Sequence, residues 1–180
     1  EIRYGGQRCN ISPNLIFGLG HSTFAVELGN DLWAPVPPSA YHALQGAHFI
    51  VNLSADREVL MREQYRTDLL RQHSAKNICG YVYASAGFGE STRDNVYAGA
   101  ASIWENGCRL AENERYQTCS SMVIADIDIE KIENLRRKSA TFKAVSPEGT
   151  VASSYYRLYD RRSLGEAAET DFDKKLCRQV

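Results

Sequence analysis

The sequence has no excess of either charge, no paired-cysteine motif and no long apolar run, and each absence removes a class of function. Its 21 basic and 22 acidic residues give a formal charge of −1, which leaves no electrostatic footprint for nucleic acid or an anionic membrane. The longest apolar stretches, such as residues 47–51, are far too short for a helix that spans a bilayer. Residues 1–10 lack the apolar centre of a secretory leader. The five cysteines, Cys9, Cys79, Cys108, Cys119 and Cys177, are odd in number and irregularly spaced, with no C-x-x-C pair. His21, His42, His48 and His73 form no metal-ligand pattern with them. Free thiols in a reducing cytoplasm are therefore expected, with no metal. No repeat or low-complexity segment is present. What remains is a chain of 180 residues, 43% hydrophobic and 24% charged, the composition of one ordinary globular domain.

The elements follow from periodicity and punctuation. Ile2-Arg3-Tyr4 predicts a short strand that turns at Gly5-Gly6, and Leu15-Ile16-Phe17 is another short apolar run. Residues 23–28 alternate with period two, placing Phe24, Val26 and Leu28 on one face. Gly29-Asn30-Asp31 ends that strand, and Pro35, Pro37 and Pro38 then force a sharp turn. Ser39 is expected to cap a short helix over residues 40–45. Residues 48–53 read as a strand covered on both faces, and residues 57–76 as the longest helix. A strand over 80–84 leads into the glycine-rich loop Ala86-Gly87-Phe88-Gly89-Glu90-Ser91-Thr92. Asn106-Gly107 predicts a hairpin over 101–111. A strand over 122–128 with Ile124 and Ile127 inward precedes a helix from 129 to 137 capped by Asp128. After Phe142 periodicity fades, and residues 143–180 are expected to form an extended arm or tail with some helix near its end. Strands alternating with helices argue for a layered α/β fold.

In such folds, functional loops gather at the carboxyl ends of the strands. Gly87-Phe88-Gly89 could cradle an anion or be a plain turn; it has neither the Walker lysine nor the Rossmann glycine spacing. Asp31 and Asp56 could form an acid/base pair or be two solvated or capping carboxylates. Residue types alone leave both pairs of readings open.

The run Val26-Glu27-Leu28-Gly29-Asn30-Asp31-Leu32-Trp33-Ala34-Pro35-Val36-Pro37-Pro38-Ser39 resembles the nucleophile strand of a particular enzyme unit. That unit is the glutaminase domain of glutamine-dependent NAD synthetases, in the nitrilase (carbon–nitrogen hydrolase) superfamily. The blocks His42 to Ala47, Asn52-Leu53-Ser54, Gly80 to Thr92, Trp104 to Gly107, Leu110-Ala111-Glu112 and Ala125 to Asp128 follow in register. The resemblance covers residues 2–142 and implies an αββα sandwich, here only its carboxyl-terminal part, with the amino-terminal elements absent. It implies hydrolysis of glutamine by a glutamate, a lysine and a cysteine, the thiolate forming a thioester and the lysine stabilising the oxyanion. The ammonia then passes to a separate domain that amidates an ATP-activated precursor of NAD. No cofactor is expected in this chain; ATP belongs to the absent synthetase domain.

The departures from the pattern bear on activity. The nucleophile position is Gly29, and the glutamate after it is Asn30. The base glutamate and the lysine fall upstream of residue 1, a family serine becomes Asp56, and the arginine that helps hold substrate aligns with Arg62. No catalytic residue is therefore expected; Arg62, Asp56, Glu27 and Trp33 are the substrate-binding candidates, with Glu27 equally readable as a bracing carboxylate. Cys79 stands at the amino end of its strand with no flanking group to activate it, and is expected to be structural. Two functions follow: part of an ammonia-supplying glutaminase domain, inactive as it stands, or a non-catalytic nitrilase-like module serving assembly or regulation. Partners are then glutamine, if any ligand binding survives, and a second copy of the chain or a complementing polypeptide.

Overall fold

The structure, a computed structural model, describes residues 11–144 together with the backbone of residues 2–4, 7–9, 154–158 and 178–179. Strands β1 (Ile2–Tyr4) and β2 (Gln7–Cys9) pair antiparallel as a separate small hairpin. The main sheet begins with β3 (Leu15–Leu19) and β4 (Ser22–Leu28), antiparallel neighbours. A 3-10 turn over Gly29–Trp33 and helix α1 (Pro38–Leu44) lead to β5 (Phe49–Ser54). Helix α2 (Arg62–Lys76) crosses over to β6 (Gly80–Ser85), and both crossovers return the chain parallel, so β4, β5 and β6 run side by side in one direction. Strands β7 (Ala101–Glu105) and β8 (Cys108–Glu112) complete that edge as the expected hairpin, with Asn106 at φ 45 and Gly107 at φ 83. Helices α3 (Ile129–Lys138) and α4 (Ala140–Ala144) follow. Strand β9 (Ser154–Leu158) pairs parallel with β3, and β10 (Arg178–Gln179) pairs antiparallel with β9, giving the order β10-β9-β3-β4-β5-β6-β7-β8.

The two faces of this sheet differ in chemistry because side chains alternate along each strand. One face presents Ile16, Ala25, Ile50, Tyr81, Tyr83 and Trp104, all buried, and packs with Leu32, Ala47 and Leu70 into the core beneath α1 and α2. The other face carries Phe17, Phe24 and Phe49, stacked at centroid separations of 5.2 and 5.3 Å. Farther along it, Leu28 and Leu53 are neighbours in register and are 63% and 53% exposed. Among the described residues, Ile127 packs on the amino end of that face. Ile127 lies so close to Gly80 that a Cβ there would come within 2.9 Å of it and 2.8 Å of the Phe49 Cβ. Arg136 donates to the carbonyls of Ala47 and Ile78, tying α3 to the loops below the strands.

Three expectations are corrected. Ser39 is not the helix cap: α1 starts at Pro38, and the Ser39 N–H is donated to a buried carboxylate instead. The long helix starts at Arg62 rather than Arg57, because Glu58 donates its N–H to the Val96 carbonyl and Met61 turns left-handed at φ 66. Residues 122–128 form no strand, and Ile124 is 76% exposed; Ile127 does turn inward, and Asp128 caps α3 by accepting from the Lys131 N–H. Residue 142, the expected end of the nitrilase-like part, lies within α4, and among the described residues of the expected tail β9 and β10 are strands. Helix near the chain end lies outside the described residues.

Candidate active site

Strands β4, β5 and β6 end together, and the loops beyond them hold most of the residues singled out from the sequence. At the end of β4 the chain bends sharply at Gly29, whose φ of +47 is left-handed; nothing lies within 4 Å of where its Cβ would be. A residue with a side chain pays for that conformation, whereas glycine does not. The bend is pinned by Asp31, whose carboxylate accepts the Leu28 N–H at 2.9 Å. Asp31 therefore braces the elbow, and Asp56 is bonded elsewhere, so the two do not form an acid/base pair.

Glu27, on the helix-covered face of β4, is 1% exposed and its carboxylate is fully committed. It accepts the Ser39 N–H and the Tyr81 hydroxyl, each at 2.5 Å, and Asn52 donates in turn to the Tyr81 oxygen at 3.2 Å. Burial, reinforced by the Glu27 charge, holds the Tyr81 phenol protonated well above its ordinary range. Burial also lowers the pKa values of His42 and His73 against the raising influence of the same carboxylate. Glu27 thus fastens the start of α1 to the underside of the elbow strand, away from the loop ends.

Beyond β5, Asp56 is 8% exposed and faces two arginines. Arg62 Nε donates to Oδ1 at 2.8 Å and Oδ2 at 3.0 Å, its Nη2 lies 2.8 Å from Oδ1, and Arg66 Nη1 lies 3.6 Å from Oδ2. Trp33 closes the other side, its ring 3.9 Å from the Arg62 Cζ. Arg66, 3% exposed, is held by Glu58 at 2.7 Å, and Glu58 also faces Arg115 at 3.7 Å. Of the four substrate-binding candidates, the fold thus joins Asp56, Arg62 and Trp33 and separates Glu27 from them. Sequence reasoning overlooked Arg66, although it stands one helical turn after Arg62 and so shares its face. It also overlooked Tyr81 and Ser39, the two donors that satisfy Glu27.

The glycine-rich loop after β6 forms a 3-10 turn over Phe88–Glu90. It borders an open cavity of about 490 Å³ whose lining includes Ser85, Gly87, Gly99 and Cys119 but no charged side chain. Cys79 is completely buried, and burial pushes its thiol up to about 12, which removes it as a nucleophile. Among the described residues, no group of His, Cys, Asp and Glu could hold a metal ion, and no helix is long and apolar enough to cross a membrane.

No protein-family model matches the chain. Glutamine-dependent NAD(+) synthetase of Mycobacterium tuberculosis is 40% identical over 144 residues, covering 78% of this chain and 21% of that protein. The chain is a homologue of one segment of the glutamine-dependent NAD(+) synthetases. It spans about a fifth of the length of the curated relatives it matches. The solved glutamine-dependent NAD(+) synthetase of Cytophaga hutchinsonii superposes with a TM-score of 0.53 at 23% identity, over 62% of this chain and 17% of that one. A carbon–nitrogen hydrolase from Helicobacter pylori superposes with a TM-score of 0.59 at 16% identity, over 76% of this chain and 50% of that one. The fold is therefore that of the nitrilase superfamily, as the resemblance implied.

Proposed function

We propose that this segment belongs to the ammonia-supplying, glutamine-hydrolysing unit of a glutamine-dependent NAD synthetase and that it is catalytically silent as it stands. The observation that carries the second half is Gly29. It occupies the elbow at which the resemblance expects a thiol, with φ +47 and open space where a side chain would project. Hydrogen at that point supplies no nucleophile, and Cys79 does not replace it, being buried at the opposite end of its strand. Removing a covalent nucleophile costs roughly 10⁴–10⁶ in turnover. Glutamine is the substrate class this reading implies, and ATP would be used only by a synthetase domain. The compartment it implies is the cytoplasm.

The test is ammonia release from L-glutamine by the purified protein. No release above the uncatalysed background is expected. Release at enzyme-like rates, abolished by thiol alkylation, would overturn the reading.

A second reading is a nitrilase-like module kept for assembly or regulation. The observation favouring it is the exposed pair Leu28 and Leu53 on the sheet face opposite α1 and α2, which suits contact with another copy or a complementing polypeptide.

A further inference from the structure

The turn between β7 and β8 joins a conformational need to a chemical liability. Asn106 and Gly107 both stand at positive φ, 45 and 83, which few residue types accept. Gly107 is further fixed by space: a Cβ there would lie 2.9 Å from the Ala75 Cβ on helix α2. The same pair is the sequence in which an asparagine side chain most readily loses its amide. The backbone nitrogen after asparagine can attack the side-chain carbonyl carbon, and glycine, having no side chain, leaves that nitrogen open.

Three hydrogen bonds oppose that reaction. Gly107 donates its N–H to the Ser74 Oγ at 3.0 Å. Ser74, completely buried on α2, donates its own proton to the Cys79 carbonyl at 3.0 Å, and Asn106 donates its N–H to the same carbonyl at 3.1 Å. Because the Ser74 proton is committed to Cys79, the hydroxyl oxygen turns a lone pair toward Gly107. A Gly107 nitrogen stripped of its proton would face that lone pair, and it must leave Ser74 to reach the Asn106 side chain. One hydroxyl of α2 thus controls the reactive atom of the turn.

We propose that Asn106 is a site of spontaneous deamidation and that Ser74 is the latch that keeps it closed while α2 is seated on the hairpin. In the reaction the bond from Gly107 N to Asn106 Cγ forms, the Cγ–Nδ2 bond breaks, and ammonia leaves carrying the Gly107 proton. Water then adds to the cyclic imide and opens it at either carbonyl, giving aspartate or isoaspartate. Both products place a new carboxylate one residue from Glu105, a buried side chain already matched by Lys131 and the Asp128 N–H. Isoaspartate also lengthens the backbone by one carbon, inside a turn that has no slack against Ala75. Modification therefore unseats the hairpin from α2 once the latch has opened. Nothing in this site depends on the glutaminase reading above.

The experiment incubates the 180-residue chain, Ser74→Ala and Ser74→Cys at mildly alkaline pH, with and without urea, and follows deamidation at Asn106 by peptide mass mapping. The rate in urea multiplied by each protein's unfolded fraction gives the part that global unfolding supplies. Asn106 should react readily in urea and far more slowly in folded wild type. Ser74→Ala should exceed the unfolding part and react about tenfold faster than folded wild type, the factor that one hydrogen bond is worth. Ser74→Cys, whose sulfur is a weaker acceptor, should fall between the two. The proposal is overturned if folded wild type deamidates as fast as in urea, if Ser74→Ala matches wild type, or if unfolding alone accounts for its rate. It is overturned equally if both variants lack native circular dichroism, because Ser74 would then hold the fold and not only the turn.

Discussion

At Gly29 one atom separates conformation from chemistry. The φ of +47 admits glycine freely, and open space awaits a Cβ, so a side chain there meets backbone strain and no clash. Gly29→Ala and Gly29→Cys should each destabilise by about 1–2 kcal/mol, the usual cost of a left-handed L-residue, with equal chemical-denaturation midpoints for the two variants. A larger loss for cysteine than for alanine would contradict the open space. Glu27 sets a second expectation. Its carboxylate is buried with two donors and no cation, so Tyr81→Phe leaves one carboxylate oxygen without its partner. That loss should cost about 1–3 kcal/mol in urea unfolding. A neutral result would show that water replaces the phenol at a site that is 1% exposed.

Among the elements, the parallel strands were legible because each is a compact apolar run bounded by glycine or a polar loop. The 101–112 hairpin was legible because Asn106-Gly107 states its own turn. The start of α2 was not. Arg57 and Glu58 suit a helix, but both the N–H and the carboxylate of Glu58 are taken by distant groups, Val96 and Arg66. Residues 122–128 alternate as a strand does, yet they run past the sheet without pairing. Arg66 was invisible for a related reason: patterning turns a helical arginine outward, whereas this one faces core carboxylates. Element packing also fixes the response to acid. Burial lowers the pKa values of His42, on α1, His48, before β5, and His73, on α2; Arg136 also lowers that of His48. Below the unfolded value of about 6.5 the unfolded chain binds these protons first, so stability is full above that pH and falls as pH drops toward the lowered values. Thermal midpoints should decline between about pH 6.5 and 5, and a flat profile would count against buried, neutral histidines.

For the whole molecule the decisive feature is the asymmetry of its sheet. Helices α1 and α2 seal one face, while on the other Phe17, Phe24 and Phe49 stack half-buried and Leu28 and Leu53 stand mostly exposed. Sheets that pack face to face bury such rows across a layer about 10 Å thick, and the carbon–nitrogen hydrolase from Helicobacter pylori is twice the length this chain matches. Periodicity read residues 48–53 as covered on both faces, because an apolar run looks the same whether or not a second sheet covers it; the exposure of this face was expected from the resemblance alone. An uncovered apolar surface of this kind promotes association. The 180-residue chain in isolation should therefore form a dimer or larger assembly that binds an environment-sensitive apolar dye. Replacing Leu28 with Glu and Leu53 with Lys puts opposite charges on register neighbours of the exposed row, leaving the helix-covered core untouched. That pair should lower the assembly state and the dye signal together while the circular dichroism stays unchanged. A wild-type chain that scatters as a monodisperse monomer, without dye binding, would mean that this face needs no cover.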